Sequence, residues 1–121
     1  MIKKLNSTTE LISKLGKSYK FKLYSFDDFD DLKGFFDEDP ALYLFTIRYL
    51  KDGKYYHSYI YLGETCNLMT RFDNHHKENC VKKYGANCIG VYRFGGTEKV
   101  RRASEKELLD NIVFPCNTQN N

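Results

Sequence analysis

The fold of this chain is decided by one stretch, Tyr61-Leu62-Gly63-Glu64-Thr65-Cys66-Asn67-Leu68-Met69-Thr70-Arg71-Phe72-Asp73-Asn74-His75. A β-rich run ends at Gly63, and Thr65 is a candidate N-cap for a helix that is predicted to extend to about Glu78. Arg71 and His75 are four residues apart, about one helical turn, so the helix is expected to present both side chains on one face. A strand tyrosine beside such a pair can hold a phosphate group, which makes this stretch the first candidate for a functional site.

Two β-rich runs, 41–50 and 54–62, precede that helix. They are joined across Asp52-Gly53, and Asp-Gly between such runs is a strong signal for a β-hairpin. Residues 87–94 predict a third strand, and residues 97–112 predict a second helix that begins at a threonine cap. The order of the core is therefore strand, strand, helix, strand, helix.

Residues 1–40 are predicted to precede this core as an α-β extension. Ser7-Thr8-Thr9-Glu10 has capping-box spacing, and Gly16 can end the helix that would follow. Residues 19–26 alternate polar and apolar side chains, as a strand does. Residues 27–39 hold seven acidic side chains, and they are expected to form a loop or a short helix that faces water.

Length and composition indicate one domain over residues 1–121. A chain of 121 residues with 41% apolar and 29% charged side chains is expected to fold around a single core. We therefore expect an α+β protein, an α/β sandwich in which a small, mainly antiparallel three-stranded sheet is flanked by helices. Residues 1–40 would be its extension and residues 41–117 its core.

The expected compartment is the cytoplasm, without a membrane partner. No apolar run approaches the length of a membrane span, and residues 1–6 lack the apolar stretch of a signal peptide. The four cysteines are Cys66, Cys80, Cys88 and Cys116. Because nothing indicates secretion, they are expected to be free thiols. Two histidines lie near Cys80 and Cys88, but without a Cys-x-x-Cys pair the spacing does not favour zinc.

Positive charge is concentrated in the middle of the chain. The net charge is +3, but residues 43–102 carry 11 basic and 5 acidic side chains, which gives +6. The flanking segments, 1–42 and 103–121, carry −1 and −2. Clustered Lys and Arg side chains are typical of proteins with a polyanionic partner, and also of solvated helix faces.

Several residues form an ordered pattern that resembles a known family. Ala41-Leu42-Tyr43 and Tyr61-Leu62-Gly63 resemble the two tripeptides that name the GIY-YIG nuclease superfamily, with alanine in place of the first glycine. The sequence that follows resembles the family's strand-to-helix signature, with Arg71 at the position of its arginine. Further along, Glu105 resembles the family's metal-binding glutamate on a late helix, and Pro115-Cys116-Asn117 resembles the end of its domain.

The resemblance covers residues 41–117 and implies a metal-dependent DNA endonuclease, which hydrolyses phosphodiester bonds to 5′-phosphate and 3′-hydroxyl ends. It implies Mg²⁺ or Mn²⁺ as cofactor, DNA as partner and a possible homodimer, because one such site cuts one strand. The implied catalytic residues are Tyr43, Tyr61, Arg71, His75 and Glu105. Arg71 and Asn117 would bind substrate, and Glu105 would bind the metal.

The chemistry of these side chains suits those roles. Arg71 can neutralise a phosphoryl oxygen with a planar, permanently charged fork, and Glu105 can hold a hard divalent cation. The resemblance assigns Tyr43 to positioning or deprotonating the attacking water, with His75 as its proton partner. Since an ordinary phenol has a pKa near 10, Tyr43 would need cationic neighbours to act as a base.

Each of these residues also has an ordinary structural interpretation. Tyr43 and Tyr61 can be cross-strand packing. Arg71 can pair with acidic neighbours on a solvated helix face, and His75 can be a surface histidine. Glu105 lies four residues after Arg101 and three after Arg102, so a helical ion pair would explain it.

Three further positions stay open. Glu107 is a substitute metal ligand, and His76 is the likelier bystander of the two histidines because it is five residues from Arg71. Asn117 can tie down the end of the chain instead of touching substrate. For the whole chain, the alternative function is a catalytically inactive module that binds nucleic acid or protein.

Overall fold

The computed structural model describes residues 1–118. Five strands, numbered along the chain, form one curled antiparallel sheet: β1 (Lys3–Ile12), β2 (Ser18–Ser25), β3 (Ala41–Lys51), β4 (Lys54–Thr65) and β5 (Cys88–Arg93). In space they follow the order β1-β2-β5-β3-β4, so β1 and β4 are the two edges. The helices are a 3₁₀ turn (Phe29–Leu32), α1 (Leu68–Arg71), α2 (Glu78–Lys83), α3 (Glu98–Leu109) and α4 (Pro115–Thr118).

The prediction of an α+β fold with a three-stranded sheet flanked by helices is wrong. The three expected strands are present as β3, β4 and β5, but β2 pairs with β5 and β1 pairs with β2. Among residues 1–118, α3 is the only helix longer than two turns. The sheet is larger because the free edge of β5 carries unpaired backbone groups, and residues 1–25 satisfy them.

The helix predicted after Ser7-Thr8-Thr9-Glu10 does not form, because this segment belongs to β1. Leu11 is 1% exposed, whereas Ile12 and Leu15, which a helix would bury with it, are 49% and 76% exposed. Burial therefore follows the two-residue period of a strand. Pairing with β2 along most of the strand outweighs the capping signal, which concerns only four residues.

The elements with strong local signals are confirmed. Asp52 and Gly53 have φ angles of 52° and 78°, the left-handed pair that a tight two-residue hairpin turn requires between β3 and β4. The strand predicted over 87–94 is β5. Thr97 caps α3, since its side chain accepts a hydrogen bond from the Val100 backbone at 3.2 Å.

The long helix predicted from Thr65 to about Glu78 is wrong. The strand β4 continues to Thr65, Asn67 caps α1, and α1 ends at Arg71 after a single turn. A turn then leads to α2. Asp73 and Asn74 follow α1 directly, and both are residue types that prefer turns to helix interiors.

Apolar side chains cover both faces of the sheet. One face carries an aromatic cluster that includes Tyr43, Phe45 and Phe72, and the other carries an aliphatic cluster around Leu42 and Leu44, beneath α3. Alternation along β3 therefore separates the two clusters. The first cluster surrounds the candidate site.

Two further observations concern the cysteines and the helices. Cys80 and Cys116 form a disulfide, so the prediction of free thiols is wrong for this pair. Cys66 and Cys88 are free, the first exposed and the second buried. Within residues 1–118, no helix is long and apolar enough to cross a membrane.

Candidate active site

The hydroxyl of Tyr43 is the meeting point of the candidate site. The Nε atom of Arg71 donates a hydrogen bond to Tyr43 Oη at 3.0 Å, and His75 Nε2 lies 2.6 Å from the same oxygen. Arg71 is the last residue of α1 and His75 lies in the turn beyond it. The two side chains therefore meet through the tyrosine, and the expectation that they share a helix face is wrong.

Gly63 provides the space that Tyr43 occupies. The two residues are directly opposite in the β3–β4 register. A Cβ atom at position 63 would lie 2.5 Å from Tyr43 Oη, well inside van der Waals contact. The glycine therefore permits the ring to lie across β4 towards Arg71. Ala41 requires no such freedom, because within residues 1–118 Asp52 is the only non-glycine residue with a positive φ angle.

A β-bulge in β4 sets the direction of Tyr61. Phe45 pairs with Tyr61, but the next residue of β3, Thr46, pairs with Tyr59, so Ile60 is the extra residue. Simple alternation would put Tyr59 and Tyr61 on the same face. Because of the bulge, Tyr61 joins the aromatic cluster, with its ring centroid 6.0 Å from that of Tyr43, whereas Tyr59 packs on the other face.

The hydrogen bonds of His75 fix its tautomer. The backbone N–H of Lys77 donates to His75 Nδ1 at 3.0 Å, so the neutral ring carries its proton on Nε2 and donates it to Tyr43 Oη. Burial, together with the smaller effect of nearby positive charge, chiefly that of Arg71, lowers the pKa of His75 to about 3. His75 is therefore uncharged near neutral pH, and in this arrangement it is a hydrogen-bond donor to the tyrosine and not a proton acceptor.

Both tyrosines are held as neutral phenols. Burial raises the pKa of Tyr43 well above its usual value, and the neighbouring Tyr61 raises it further, although Arg71 acts in the opposite direction. Burial also raises the pKa of Tyr61, Arg71 lowers it, and Glu105 raises it. Tyr43 is 0% exposed and Tyr61 is 6% exposed, so Tyr61 is the more accessible of the two.

Glu105 reaches this cluster from α3. Burial, together with the smaller effect of the nearby Glu64 carboxylate, raises the pKa of Glu105 to about 7, although Arg102 and Arg71 act in the opposite direction. Neither Arg101 nor Arg102 forms an ion pair with Glu105. Both arginines instead bind Glu64, at 3.3 and 3.5 Å. Within residues 1–118 the Glu105 carboxylate has no hydrogen bond or ion pair, so the ordinary helical interpretation does not account for it.

A divalent cation fits the chemistry of Glu105. Its carboxylate is partly buried, lies near the second carboxylate of Glu64 and is repelled by it, a combination that a hard cation would relieve. In the part of the chain that the structure describes, no three His, Cys, Asp or Glu side chains form a metal-holding group. An ion at Glu105 would therefore have few protein ligands, as is usual for Mg²⁺ that also binds water and phosphate.

The structure also shows the surroundings of three other residues that the sequence analysis considered: Asn117, His76 and Glu107. Asn117 clamps the edge strand β4, donating from Nδ2 to the Leu62 carbonyl and accepting from the Leu62 N–H, both at 2.8 Å. His76 Nδ1 accepts a hydrogen bond from Arg71 at 3.3 Å. Glu107 lines a separate groove with Leu15 on the other side of α3.

Two members of the site were missed by sequence reasoning. His76 lies five residues from Arg71, a spacing that separates the two side chains only in a continuous helix, and α1 ends at Arg71. Glu64 lies between Gly63 and Thr65 in the decisive stretch, and it faces α3 because strand alternation turns it away from Tyr43. Because β4 continues through Thr65, strand alternation by itself places Glu64 on the side of the α3 arginines.

No protein-family model, curated protein or solved structure matches this chain. The site is therefore characterised by its own geometry. It combines a guanidinium group, two tyrosine hydroxyls and a carboxylate with a raised pKa, which belong to four separate segments of the chain. Such a set of groups can bind a phosphate and a cation together.

Proposed function

We propose that the chain is a metal-dependent DNA endonuclease of the GIY-YIG type, which hydrolyses phosphodiester bonds to 5′-phosphate and 3′-hydroxyl ends. The observation that carries this proposal is the Tyr43 hydroxyl, which joins Arg71 and His75 beside Tyr61 and Glu105. Residues that matched a nuclease pattern only by their order in the sequence are thus neighbours in space. If each residue served only to pack the core, these five residue types would have no reason to be neighbours.

Arg71 supplies the positive charge for the phosphate. Its Nε atom is fixed by Tyr43 and one terminal nitrogen by His76, so the guanidinium plane is held before substrate arrives. Arg71 also hydrogen-bonds to Tyr61, and the N–H groups that these three partners leave can contact a non-bridging oxygen, where charge builds up as the bond breaks. Preorganised charge of this kind lowers the barrier because it needs no rearrangement during the reaction.

The two tyrosines have different roles in this proposal. Tyr43 is fully buried, so in our proposal it is a positioning residue that holds Arg71 and His75. The more accessible Tyr61 hydroxyl lies near both Arg71 and Glu105, where it can orient the attacking water by a hydrogen bond. Direct deprotonation of water by Tyr43, with His75 taking the proton, is less compatible with a His75 ring that carries its proton on Nε2.

Glu105 is the residue that would hold Mg²⁺ or Mn²⁺, which would stabilise negative charge on the phosphate and on the leaving 3′-oxygen. Because the pKa of Glu105 is about 7, its carboxylate is only partly ionised at neutral pH without a cation. Binding of the cation would therefore release a proton. Asn117 supports the site indirectly, by fixing β4 next to Tyr61.

The proposal is tested by two substitutions with matched controls. We expect Arg71→Ala and Glu105→Gln each to reduce cleavage of a panel of duplex, nicked, branched and single-stranded DNA by at least about a hundredfold. Arg93→Ala removes an exposed arginine paired with Asp39, and Glu107→Gln removes a carboxylate on the other side of α3. Both controls should cut at the wild-type rate.

If the wild-type protein cuts none of these DNAs with either cation, the proposed activity is wrong. Salt-sensitive DNA binding without any cation binding at Glu105 would then favour the inactive binding module.

The disulfide bears on the cellular compartment of the protein. Disulfides such as Cys80–Cys116 are much more common outside the cytosol, so this pair counts against the cytoplasmic location expected from the sequence.

One active site of this kind cuts one DNA strand. Cleavage of both strands would therefore need a homodimer or two successive nicks.

A further inference from the structure

The far end of the β3–β4 hairpin carries an exposed aromatic surface. We define the hairpin tip as residues 48–57. Tyr49 and Tyr56 are 43% and 44% exposed and stack across the two strands, with ring centroids 5.9 Å apart and planes inclined by 26°. On the opposite side, the Arg48 guanidinium lies 3.5 Å from the centre of the Tyr55 ring, and Tyr55 is 56% exposed.

The tip is held rigidly and is basic. Asn87 bonds to both backbone groups of Arg48, accepting from its N–H at 2.7 Å and donating to its carbonyl at 3.1 Å. The tip contains one acidic side chain, Asp52, and three basic ones: Arg48, Lys51 and Lys54. A rigid aromatic surface surrounded by positive charge complements a polyanion that has flat, apolar groups.

The stacked pair lies on the same face of the hairpin as the candidate site. Tyr43, Phe45 and Ile47 alternate along β3 and contact the aromatic cluster, and Tyr49 is the next residue in that series. Its partner across the strands is Tyr56. At about 3.3 Å per residue, the pair is roughly 20 Å from Tyr43, which matches about six nucleotides at a rise of about 3.4 Å.

We propose that the hairpin tip binds the unpaired bases of a DNA strand, which stack on Tyr49 and Tyr56 while Lys51 and Lys54 contact the flanking phosphates. This proposal deepens the proposed nuclease function, on which it rests, by naming the form of DNA that the protein takes. A paired duplex hides the faces of its bases, whereas a single strand, flap or junction exposes them. The tip thus selects substrates with an unpaired segment about six nucleotides from the bond that is cut.

The first test maps the contact directly. Oligothymidylate of 15 nucleotides, with 5-iodouracil at single positions, is bound to the full chain in EDTA, irradiated, and the crosslinked peptides are identified by mass spectrometry. We expect crosslinks at Tyr49 or Tyr56. Crosslinks confined to other parts of the chain would overturn the proposal, whatever the behaviour of the variants.

The second test measures affinity. Replacing both Tyr49 and Tyr56 by isoleucine keeps strand-forming, apolar side chains but removes the rings. We expect roughly tenfold weaker binding to oligothymidylate, the loss that one stacked base causes. The double phenylalanine variant should bind as the wild type does, and so should Tyr84→Ile, which changes an exposed tyrosine outside the tip. Unchanged affinity of the isoleucine variant would contradict the proposal.

Other outcomes separate this inference from the proposed function. If the tip crosslinks to DNA but the protein cuts none, the nuclease proposal fails and the binding surface stands. If the protein cuts DNA but the tip neither crosslinks nor affects affinity, the binding surface fails alone. A dimer that the isoleucine variant dissociates without losing DNA affinity would make the tip a contact between copies, which also overturns the proposal.

Discussion

Tyr43 receives hydrogen bonds from two side chains in the interior of the protein, and those bonds explain which parts of the site were predictable. The sequence pattern identified Arg71 and His75 as partners, but for a reason that the structure contradicts, since α1 ends at Arg71. The two side chains meet because each approaches Tyr43 from its own direction. The order of residues in the sequence was enough to select Arg71 and His75 as site residues. Their contacts with Tyr43 depend on tertiary packing, which sequence spacing alone does not encode.

Gly63 offers a direct test of the role of Tyr43. A methyl group at this position would overlap the tyrosine hydroxyl, so Gly63→Ala should displace the ring and break its bond to Arg71. We expect a loss of about 1–3 kcal/mol in the free energy of unfolding, as for other overpacked sites, together with loss of cleavage. Urea unfolding measures the first effect. Gly95→Ala is the control, because nothing lies within 4 Å of its added Cβ, and equal behaviour of both variants would refute the interpretation.

The raised pKa of Glu105 predicts how cation binding depends on pH. Mn²⁺ needs the ionised carboxylate, so calorimetric affinity should rise about tenfold per pH unit below pH 7 and level off above it. Glu105→Gln should abolish this dependence, and Glu107→Gln should retain it. Without metal, the folded state holds this proton more tightly than the unfolded state. Wild-type stability should therefore fall relative to Glu105→Gln as pH rises from about 4.5 through 7. An affinity that is flat between pH 5 and 8 would contradict this account.

At the scale of elements, local sequence signals predict the structure correctly, whereas pairing between distant segments is not predicted. The Asp52-Gly53 turn and the Thr97 cap each specify their element within a few residues, and both were predicted correctly. The first strand, β1, was mistaken for a helix because its stability comes from pairing with β2 and not from its own sequence. The sequence indicates that Asn117 can tie down the end of the chain, but it does not identify Leu62 as the partner, since 55 residues separate the two positions.

The Cys80–Cys116 disulfide links α2 to α4, and both cysteines belong to the buried cluster that contains Tyr43. It closes a loop with a sequence separation of 36, for which chain entropy predicts a contribution of about 3–4 kcal/mol to stability. Replacing both residues by alanine should therefore lower the free energy of unfolding by about that amount, as measured in urea. Cys66→Ala, at an exposed free thiol, should change it by less than about 0.5 kcal/mol. A double variant as stable as the wild type would show that this crosslink does not support the fold.

At the scale of the whole molecule, the β3–β4 hairpin connects two functional surfaces. Tyr43 and Tyr61 lie at one end and the stacked Tyr49–Tyr56 pair at the other, on the same face. The curl of the sheet brings its two edges together, so that the Thr9 hydroxyl lies 3.3 Å from that of Tyr59. The positive middle segment predicts a polyanionic partner, and three of its basic side chains lie at the tip of this hairpin: Arg48, Lys51 and Lys54.

The most direct measurement of the central claim is the chemistry of the cut ends. Wild-type protein is incubated with a flap-containing DNA and Mg²⁺ in water enriched in ¹⁸O, under conditions of a single turnover, and the products are analysed by mass spectrometry. If water attacks phosphorus and the bond to the 3′-oxygen breaks, one ¹⁸O atom appears in each new 5′-phosphate and none in the 3′-hydroxyl. Uncut DNA, or ends that carry a 3′-phosphate, would contradict the proposed nuclease.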